Sequence, residues 1–187
     1  LQHKSSESTF DGCLTFVIGE NGMDLAVRFG LPVKQIIKTG NWLGPLLVAA
    51  AENGVKKLLL FGYHGKLIKL SGGIFHTHHH LADGRLEILT SLAFRVGISF
   101  DLIQLISKST SVENALLTLE ERSPEVVPLI WGKMAKEIEI RSRNYVNRYL
   151  SSSMEIGSVL FDRKRQIRWA GLKGLEQINS LGLILKP

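Results

Sequence analysis

The stretch CLTFVIGENGMDLAVRFGLPVKQIIKTGNWLGPLLVAAAENGVKKLLLFG, residues 13–62, decides the fold. It begins with an apolar, partly β-branched run, which is followed by a Gly-Glu-Asn-Gly turn and a helix-like segment that stops near Gly30. The order then repeats, with a short strand at residues 33–40, an Ala-rich helix ending at Gly54 and a further strand at residues 55–62. This alternation predicts an α/β fold, with a mainly parallel sheet and helices on both faces.

Glycine-rich segments follow each predicted strand. They read GENG (19–22), TGN (39–41) and GYHGK (62–66), and Asn41 is predicted to be the N-cap of the Ala-rich helix. Ligands of open parallel sheets bind beyond the carboxyl ends of the strands. These three segments are therefore predicted to border a binding site.

The chain after the histidine-rich region is mostly helical in pattern. Residues 82–97, 111–121 and 123–150 carry apolar side chains at helical spacing, and Pro128 predicts a disturbance of the last helix. Asp83 stands where the first of these helices begins and is predicted to cap it.

The C-terminal region predicts a β-hairpin. The strand-like runs EIGSVLF (155–161) and QIRWAG (166–171) are joined by the charged DRKR, and a short helix is expected around residues 175–179. We expect residues 13–187 to form a single α/β domain after a flexible leader at residues 1–12.

Composition limits the class of protein. The 187 residues are 44% hydrophobic, which suits one domain with a substantial core. No apolar run is long enough to cross a bilayer and no secretory signal precedes the domain, so a cytoplasmic protein is expected. The single cysteine, Cys13, cannot form an internal disulfide and is predicted to be a core residue.

The charge balance favours an anionic partner. Lys and Arg number 23 against 17 acidic residues, which gives a net charge of +6. Nucleic acid is disfavoured, because aromatic residues make up only 7% of the chain and no known reader motif is present. A small molecule with several carboxylates or phosphates fits the charge.

Five of the six histidines lie close together in the sequence. His76, His78 and His80 alternate, so an extended segment would place them on one face, with His79 on the other. Three such imidazoles suit zinc, and a metal-dependent hydrolase is therefore one alternative function. The spacing does not match the Thr-His-x-His-x-Asp-His motif of metallo-β-lactamase-like hydrolases, since Asp83 comes one residue late. We predict no metal site.

Lys66 ends the GYHGK segment and Lys69 follows it, and both can serve as counter-charges for a bound anion. The segment is too short for a phosphate-binding Walker loop, and Leu67 replaces the magnesium-binding Ser or Thr. Both an anion-contacting loop and a solvated turn with surface lysines remain open from the residues alone.

The segment GYHGKLIKLSGGIFHTHHHLADGRLEIL (62–89) resembles the signature of the CbiD family, the cobalt-precorrin-5B C1-methyltransferases of anaerobic cobalamin biosynthesis. The family patterns Gly-His-x-Gly-Lys-Leu-x-Lys, Gly-Ile-Phe-x-Thr-His and Ala-Asp-x-Arg-x-Glu fall on residues 62–69, 73–78 and 82–87. The flanking VIGENGMDLA and the stretch from Thr39 to Gly62 also resemble family segments. The resemblance corresponds to the carboxyl-terminal part of the family, whose members carry a further amino-terminal domain.

The resemblance implies an activity and a cofactor. It implies transfer of a methyl group from S-adenosylmethionine to C1 of cobalt-precorrin-5B, a corrinoid rimmed with carboxylate side chains. Such transfer needs in-line positioning and no metal or protein nucleophile. Expected partners are this anionic corrinoid and, as a further option, a second copy in a homodimer, with neither nucleic acid nor membrane. A metal-dependent hydrolase, or a noncatalytic anion-binding domain of a larger enzyme, remains the alternative.

The resemblance also implies site residues. Proton handling is assigned first to His78 and then to His76. The residues expected to bind substrate are Lys66, Lys69, Thr77, Asp83 and Arg85. The residues expected to approach the methyl donor are Gly19, Asn21, Gly22, Asn41, Gly44, Gly62 and Gly65.

Overall fold

The computed structural model describes residues 10–19 and 22–185. Its strands are β1 (Cys13–Ile18), β2 (Ile36–Thr39), β3 (Lys57–Tyr63), β4 (Glu155–Phe161) and β5 (Ile167–Ala170). They form one sheet in the order β2-β1-β3-β4-β5. The first four are parallel, whereas β5 is antiparallel to β4, which confirms the predicted parallel sheet and C-terminal hairpin.

The helices of the described chain cover both faces of this sheet. They are α1 (Met23–Phe29), α2 (Leu43–Glu52), α3 (His64–Ser71), α4 (Arg85–Arg95), α5 (Phe100–Ser107), α6 (Val112–Arg122), α7 (Val127–Asn147) and α8 (Leu172–Ser180). Two short 3-10 turns, Val33–Gln35 and Pro124–Val126, precede β2 and α7.

The strands are apolar on both faces, which is why two hydrophobic clusters form. Phe16 and Leu60 face a larger cluster with side chains from α2 through α7. Val17 and Phe61 face a smaller cluster with α1 and α8. Burial on both faces explains why the strands read as continuous apolar runs.

Glu139 joins α7 to β4 and α8. Its carboxylate accepts backbone N–H groups of Ser158 at 3.0 Å, Gly174 at 3.0 Å and Lys173 at 3.2 Å. Burial raises the pKa of Glu139, while these hydrogen bonds oppose that shift. The amino-terminal N–H groups of α8 are thus bound by a side chain of the protein itself.

Three local predictions are wrong. Asn41 is not the N-cap of α2, because the helix begins at Leu43 after Trp42. Pro128 does not disturb α7, since it lies in the first turn, where a missing N–H costs nothing. Asp83 is not the N-cap of α4, which is Gly84; its carboxylate pairs with the Arg85 side chain and accepts the Arg85 N–H at 3.4 Å.

The start of the described chain bears on two further predictions. Cys13 is half-buried as the first residue of β1, and burial raises the pKa of its thiol, which disfavours a reactive thiolate. Most of the predicted leader, residues 1–9, lies outside the described residues, so the division into leader and domain stays a prediction.

Candidate functional site

The carboxyl ends of β1, β3 and β4 meet at one edge of the sheet, as parallel strands require. A cavity of about 550 Å³ opens there. It is lined by Ile18, Gly19, Tyr63, Lys66, Phe161, Asp162, Arg163 and Arg165. We call it the edge cavity. Its position agrees with the general site of ligand binding in open α/β sheets.

The edge cavity is electropositive. Lys66 comes from the first turn of α3, while Arg163 and Arg165 come from the turn between β4 and β5. The acidic lining residue, Asp162, is buried, and its carboxylate accepts hydrogen bonds from the Gln166 N–H at 2.9 Å and the Arg168 guanidinium at 3.3 Å. Its charge is therefore largely satisfied within the hairpin. Arg165 pairs with Asp24 Oδ2 at 2.6 Å, so Lys66 and Arg163 supply most of the positive charge that faces the cavity.

Gly19 forms the wall nearest to Lys66. Its φ of +93° is in the left-handed region, and an added Cβ would lie 3.2 Å from the Lys66 Nζ. A larger residue here would strain the backbone and crowd the ammonium group. The missing side chain at Gly19 thus leaves room for the Lys66 ammonium group in the edge cavity.

Tyr63 is the last residue of β3, and its hydroxyl has two partners. It donates to Glu113 Oε2 at 3.2 Å and accepts from Arg163 Nε at 3.3 Å. Burial raises the pKa of Tyr63, so the phenol stays protonated at neutral pH. Glu113 also contacts His64 Nε2, at 2.7 Å.

The predicted residues Lys69, Thr77 and Asn41 meet one another away from the edge cavity. Lys69 Nζ donates to the carbonyls of Thr77 at 3.2 Å and Ala82 at 2.5 Å. Thr77 donates through its hydroxyl to Asn41 Oδ1 at 3.0 Å and through its N–H to the Asn41 carbonyl at 2.9 Å. These bonds fasten the segment between α3 and α4, residues 72–84, which we call the histidine loop, to the loop after β2.

Asp83 and Arg85 form a two-point ion pair at the end of the histidine loop. The contacts are 2.7 Å from Arg85 Nε and 2.5 Å from Arg85 Nη2. This hydrogen bonding lowers the pKa of Asp83. Arg85 lies within electrostatic range of Tyr63 and Arg163, so its charge adds to that of the edge cavity.

The prediction that His79 faces away from the other histidines is wrong. A turn at residues 79–81 brings its ring to 4.9 Å from that of His78 and 4.0 Å from that of His80. Burial and then the neighbouring imidazoles lower the pKa of His78, which favours its neutral form. Over residues 10–19 and 22–185, no group of three or more His, Cys, Asp or Glu side chains is placed to hold a metal ion, so the hydrolase alternative gains no support.

Protein side chains occupy the space beside several of the glycines that were predicted to approach the methyl donor. An added Cβ would lie 2.5 Å from the Tyr145 hydroxyl at Gly44 and 2.8 Å from Val17 Cγ1 at Gly22. At Gly62 it would lie 3.1 Å from Leu67, and at Gly65 it would meet the Tyr63 ring. Packing alone accounts for these glycines. Asn21 lies outside the described residues.

Sequence reasoning missed Tyr63, Glu113, Arg163 and Arg165. Two of them were visible as part of the charged DRKR run after a buried strand, which was interpreted only as a hairpin turn. A charged run directly after a parallel strand is a signal for the ligand-binding edge. Glu113 gave no signal, because it reaches the site from α6, 50 residues away in the chain.

A larger groove, of about 910 Å³, lies near the opposite end of β4, between α7 and the start of α8. The backbone N–H groups beside this groove already donate to the Glu139 carboxylate. Within the described residues, no helix is long and apolar enough to span a membrane.

The fold and the edge cavity define a class: an α/β domain with a cation-lined pocket at the carboxyl edge of a parallel sheet. A family model described as "CbiD, C-terminal domain" matches residues 76–171. The chain belongs to the CbiD family, as its sequence resemblance predicted.

Curated relatives extend this match along the whole chain. A protein of Prochlorococcus marinus (strain NATL2A), named cobalt-precorrin-5B C(1)-methyltransferase, is 86% identical over 186 residues, covering 100% of this chain and 49% of the relative. A protein of the same name from strain MIT 9303 is 55% identical over 183 residues, covering 98% of this chain and 47% of the relative. This chain therefore spans about half the length of the relatives. No solved structure matches it.

Proposed function

We propose that this chain is the corrinoid-binding part of an enzyme that methylates C1 of cobalt-precorrin-5B in cobalamin biosynthesis, with S-adenosylmethionine as the methyl donor. The observation that carries the proposal is the 86% identity, across the chain, with a protein of that name. Because the chain spans about half of that relative, the proposed activity belongs to the enzyme that contains this chain.

The charges of the edge cavity support the corrinoid assignment. Lys66 and Arg163 present an ammonium and a guanidinium, which form strong charge-assisted hydrogen bonds with carboxylates. Arg165 also lines the cavity, but its guanidinium already pairs with Asp24. The corrinoid implied by the family resemblance has several carboxylate arms. The cavity is smaller than a whole macrocycle requires, so we assign it to one edge of the substrate and its arms.

The same charges argue against placing the reactive part of the donor in this cavity. A bound S-adenosylmethionine supplies a methyl group already activated on a positively charged sulfur. Lys66 and Arg163 would repel that charge at close range. We therefore assign donor contacts to Asn21 and Asn41, beyond β1 and β2. Gly19 is assigned to the wall of the edge cavity, and Gly22, Gly44, Gly62 and Gly65 are assigned to packing.

The histidine loop is proposed to close over the substrate from the neighbouring side. Arg85 adds a cation, and Asp83 and Lys69 fix the loop around it. His78, kept neutral at pH 7, can accept a proton, and His76 is the second choice. A homodimer and a cytoplasmic location stay predictions.

Calorimetry on the full 187-residue chain tests this assignment. The ligands are cobyrinic acid, a stable corrinoid polycarboxylate, and S-adenosylhomocysteine. Lys66→Ala should weaken cobyrinic acid binding about 10- to 100-fold, the value of one or two charge-assisted hydrogen bonds. Lys108→Ala, an exposed lysine far from the cavity in sequence, is the matched control and should bind like wild type.

Each outcome separates the alternatives. Binding of both ligands supports the methyltransferase proposal, and turnover with S-adenosylmethionine and cobalt-precorrin-5B then measures activity directly. Binding of cobyrinic acid alone favours the noncatalytic anion-binding domain. Equal loss of affinity in the Lys66 and Lys108 variants would reject the edge cavity as the corrinoid site.

A further inference from the structure

A chain of hydrogen bonds leads from the edge cavity into the core, and the proposed function does not yet use it. It runs from Tyr63 at the cavity wall to Glu113 and then to His64. His64 is 1% exposed, and Glu113 has a side chain that is 13% exposed. Two ionisable groups placed behind a neutral phenol are costly to bury for packing alone.

His64 has a single route for proton exchange. Its Nδ1 is buried and has no hydrogen-bond partner, while its Nε2 contacts Glu113. Its ring packs edge-on against Trp131, with centroids 5.1 Å apart. Any proton that reaches or leaves this imidazole therefore passes Glu113 Oε2.

Of the hydrogen-bonded residues Tyr63, Glu113 and His64, Tyr63 is the one that lines the edge cavity. A phenolic oxygen has one hydrogen and two lone pairs. Here the hydrogen points to Glu113 and one lone pair accepts Arg163 Nε. The second lone pair remains for a group in the cavity.

We propose that Tyr63 conducts a proton from the bound substrate to the Glu113–His64 pair. This inference rests on the proposed function. When the methyl group moves, the C–S electron pair stays on sulfur and a ring π pair forms the new C–C bond. The methylated ring must then release one proton. Tyr63 Oη accepts it while passing its own hydrogen to Glu113 Oε2, so that the pair gains one proton and Tyr63 ends unchanged.

Gly65 supports this geometry. An added Cβ at Gly65 would overlap the Tyr63 ring and lie 3.0 Å from its hydroxyl. The ring therefore lies flat across the first turn of α3. Of the three residues in this scheme, only Tyr63 contacts the substrate, and Glu113 and His64 act through it.

The groups that act on His64 set its proton affinity. Burial lowers its pKa, whereas Glu113 from α6 and Asp162 from the hairpin raise it, and Arg168 from β5 lowers it. Tyr63 and Arg163 complete the charged and titratable surroundings of the route. Burial is the largest of these effects, so it keeps the His64 imidazole neutral at pH 7.

Turnover of the full chain with S-adenosylmethionine and cobalt-precorrin-5B tests the conduit. Tyr63→Phe keeps the ring and removes the hydroxyl, so kcat should fall about 100-fold or more while the Kd for cobyrinic acid changes less than about threefold. Tyr149→Phe, which removes an exposed hydroxyl, should leave both values unchanged. The variant His78→Gln tests the competing proton acceptor on the histidine loop in the same assay.

A pH profile separates conduction from simple packing. In wild type, kcat should decline toward low pH as His64 becomes protonated. That decline should disappear in Glu113→Gln and persist in Glu121→Gln, an exposed change on the same helix. Wild-type kcat in Tyr63→Phe, or an unchanged profile in Glu113→Gln, would overturn the conduit and leave the proposed function standing.

An NMR titration covers the case in which the wild-type chain does not turn over. The Tyr63 ring-carbon resonance next to the hydroxyl should shift as the pair titrates, and Glu113→Gln should abolish that inflection. Such coupling supports the conduit, and the absence of turnover then counts against the proposed function alone. A Tyr63 resonance that does not follow the pair rejects the conduit in either case.

Discussion

Lys66 and Lys69 lie one helical turn apart on α3 and have different surroundings. Lys66 lies half-buried beside Gly19 in the edge cavity. Lys69 is 1% exposed and donates to two carbonyls of the histidine loop. Burial lowers the pKa of Lys69, and the two carbonyls compensate part of that cost through hydrogen bonds.

This contrast predicts that the same substitution costs much more stability at Lys69 than at Lys66. Lys69→Met should lower the free energy of unfolding by about 2–4 kcal/mol, because two buried carbonyls lose a charged donor. Lys66→Met should change it by less than about 1 kcal/mol. Urea unfolding measures both, and a similar cost for the two variants would contradict the structural role assigned to Lys69.

His64 predicts a pH dependence of stability. Its pKa lies below the ordinary 6.5 because of burial, so below about pH 6.5 the unfolded chain binds a proton that the folded chain does not. Stability should therefore fall as the pH drops from about 7.5 to about 5.5, by at most about 1.4 kcal/mol per pH unit from this group. The fall should be smaller in His64→Gln.

His79→Gln is the matched control, since His79 is exposed. It should retain the wild-type dependence in urea unfolding at each pH. Identical curves for wild type and His64→Gln would show that another group causes the fall.

At the scale of elements, β4 and α8 approach closely through two glycines. An added Cβ at Gly157 would lie 2.6 Å from the Gly174 nitrogen and 2.8 Å from its Cα. Both contacts are with backbone, which cannot rotate away. Glu139 fixes the same junction from α7 by binding the N–H groups of Ser158 and Gly174.

Gly157→Ala should therefore be strongly destabilising. We expect the free energy of unfolding to fall by about 3 kcal/mol, since overpacking against backbone forces the helix to shift. Gly40→Ala is the control, because nothing lies within 4 Å of its added Cβ. Thermal unfolding compares the two, and equal midpoints would show that the β4–α8 junction tolerates displacement.

The elements differ in how well the sequence predicted them. The β1–α1–β2–α2–β3 order was predicted because short strand-like runs rich in apolar residues alternate with helix-like segments, and each helix stops at glycine or asparagine. Ser111 is the N-cap of α6, and its Oγ accepts the Asn114 N–H at 3.1 Å. Asn41 failed as a cap because Thr77, far along the chain, competes for its oxygen atoms.

At the scale of the whole molecule, the net charge of +6 is concentrated in part around the edge cavity. Binding of a polycarboxylate should therefore depend on salt. Raising NaCl from about 0.05 M to about 0.5 M should weaken cobyrinic acid binding roughly tenfold, because mobile ions screen partly exposed charges.

Cobinamide provides the matched ligand control. Its peripheral carboxylates are converted to amides, so any binding should vary little with salt. Calorimetry at both salt concentrations measures the two ligands, and equal salt dependence would show that carboxylate recognition does not drive binding.

The sequence by itself determined the α/β class, the parallel orientation of the first strands, the C-terminal hairpin and the family. These properties follow from local periodicity and contiguous motifs, which a linear chain displays directly. It also indicated Gly19 and Lys66, because both belong to glycine-rich segments that follow predicted strands.

Only the tertiary structure decided which side chains share a site. Tyr63, Glu113 and Arg163 come from β3, α6 and the β4–β5 turn, and their contact depends on how the sheet and α6 pack. Packing likewise turned Lys69 inward and filled the space beside Gly44 with Tyr145. Local sequence sets which element a residue joins, but contacts between elements distant in the chain arise only when burial of both sheet faces brings them together.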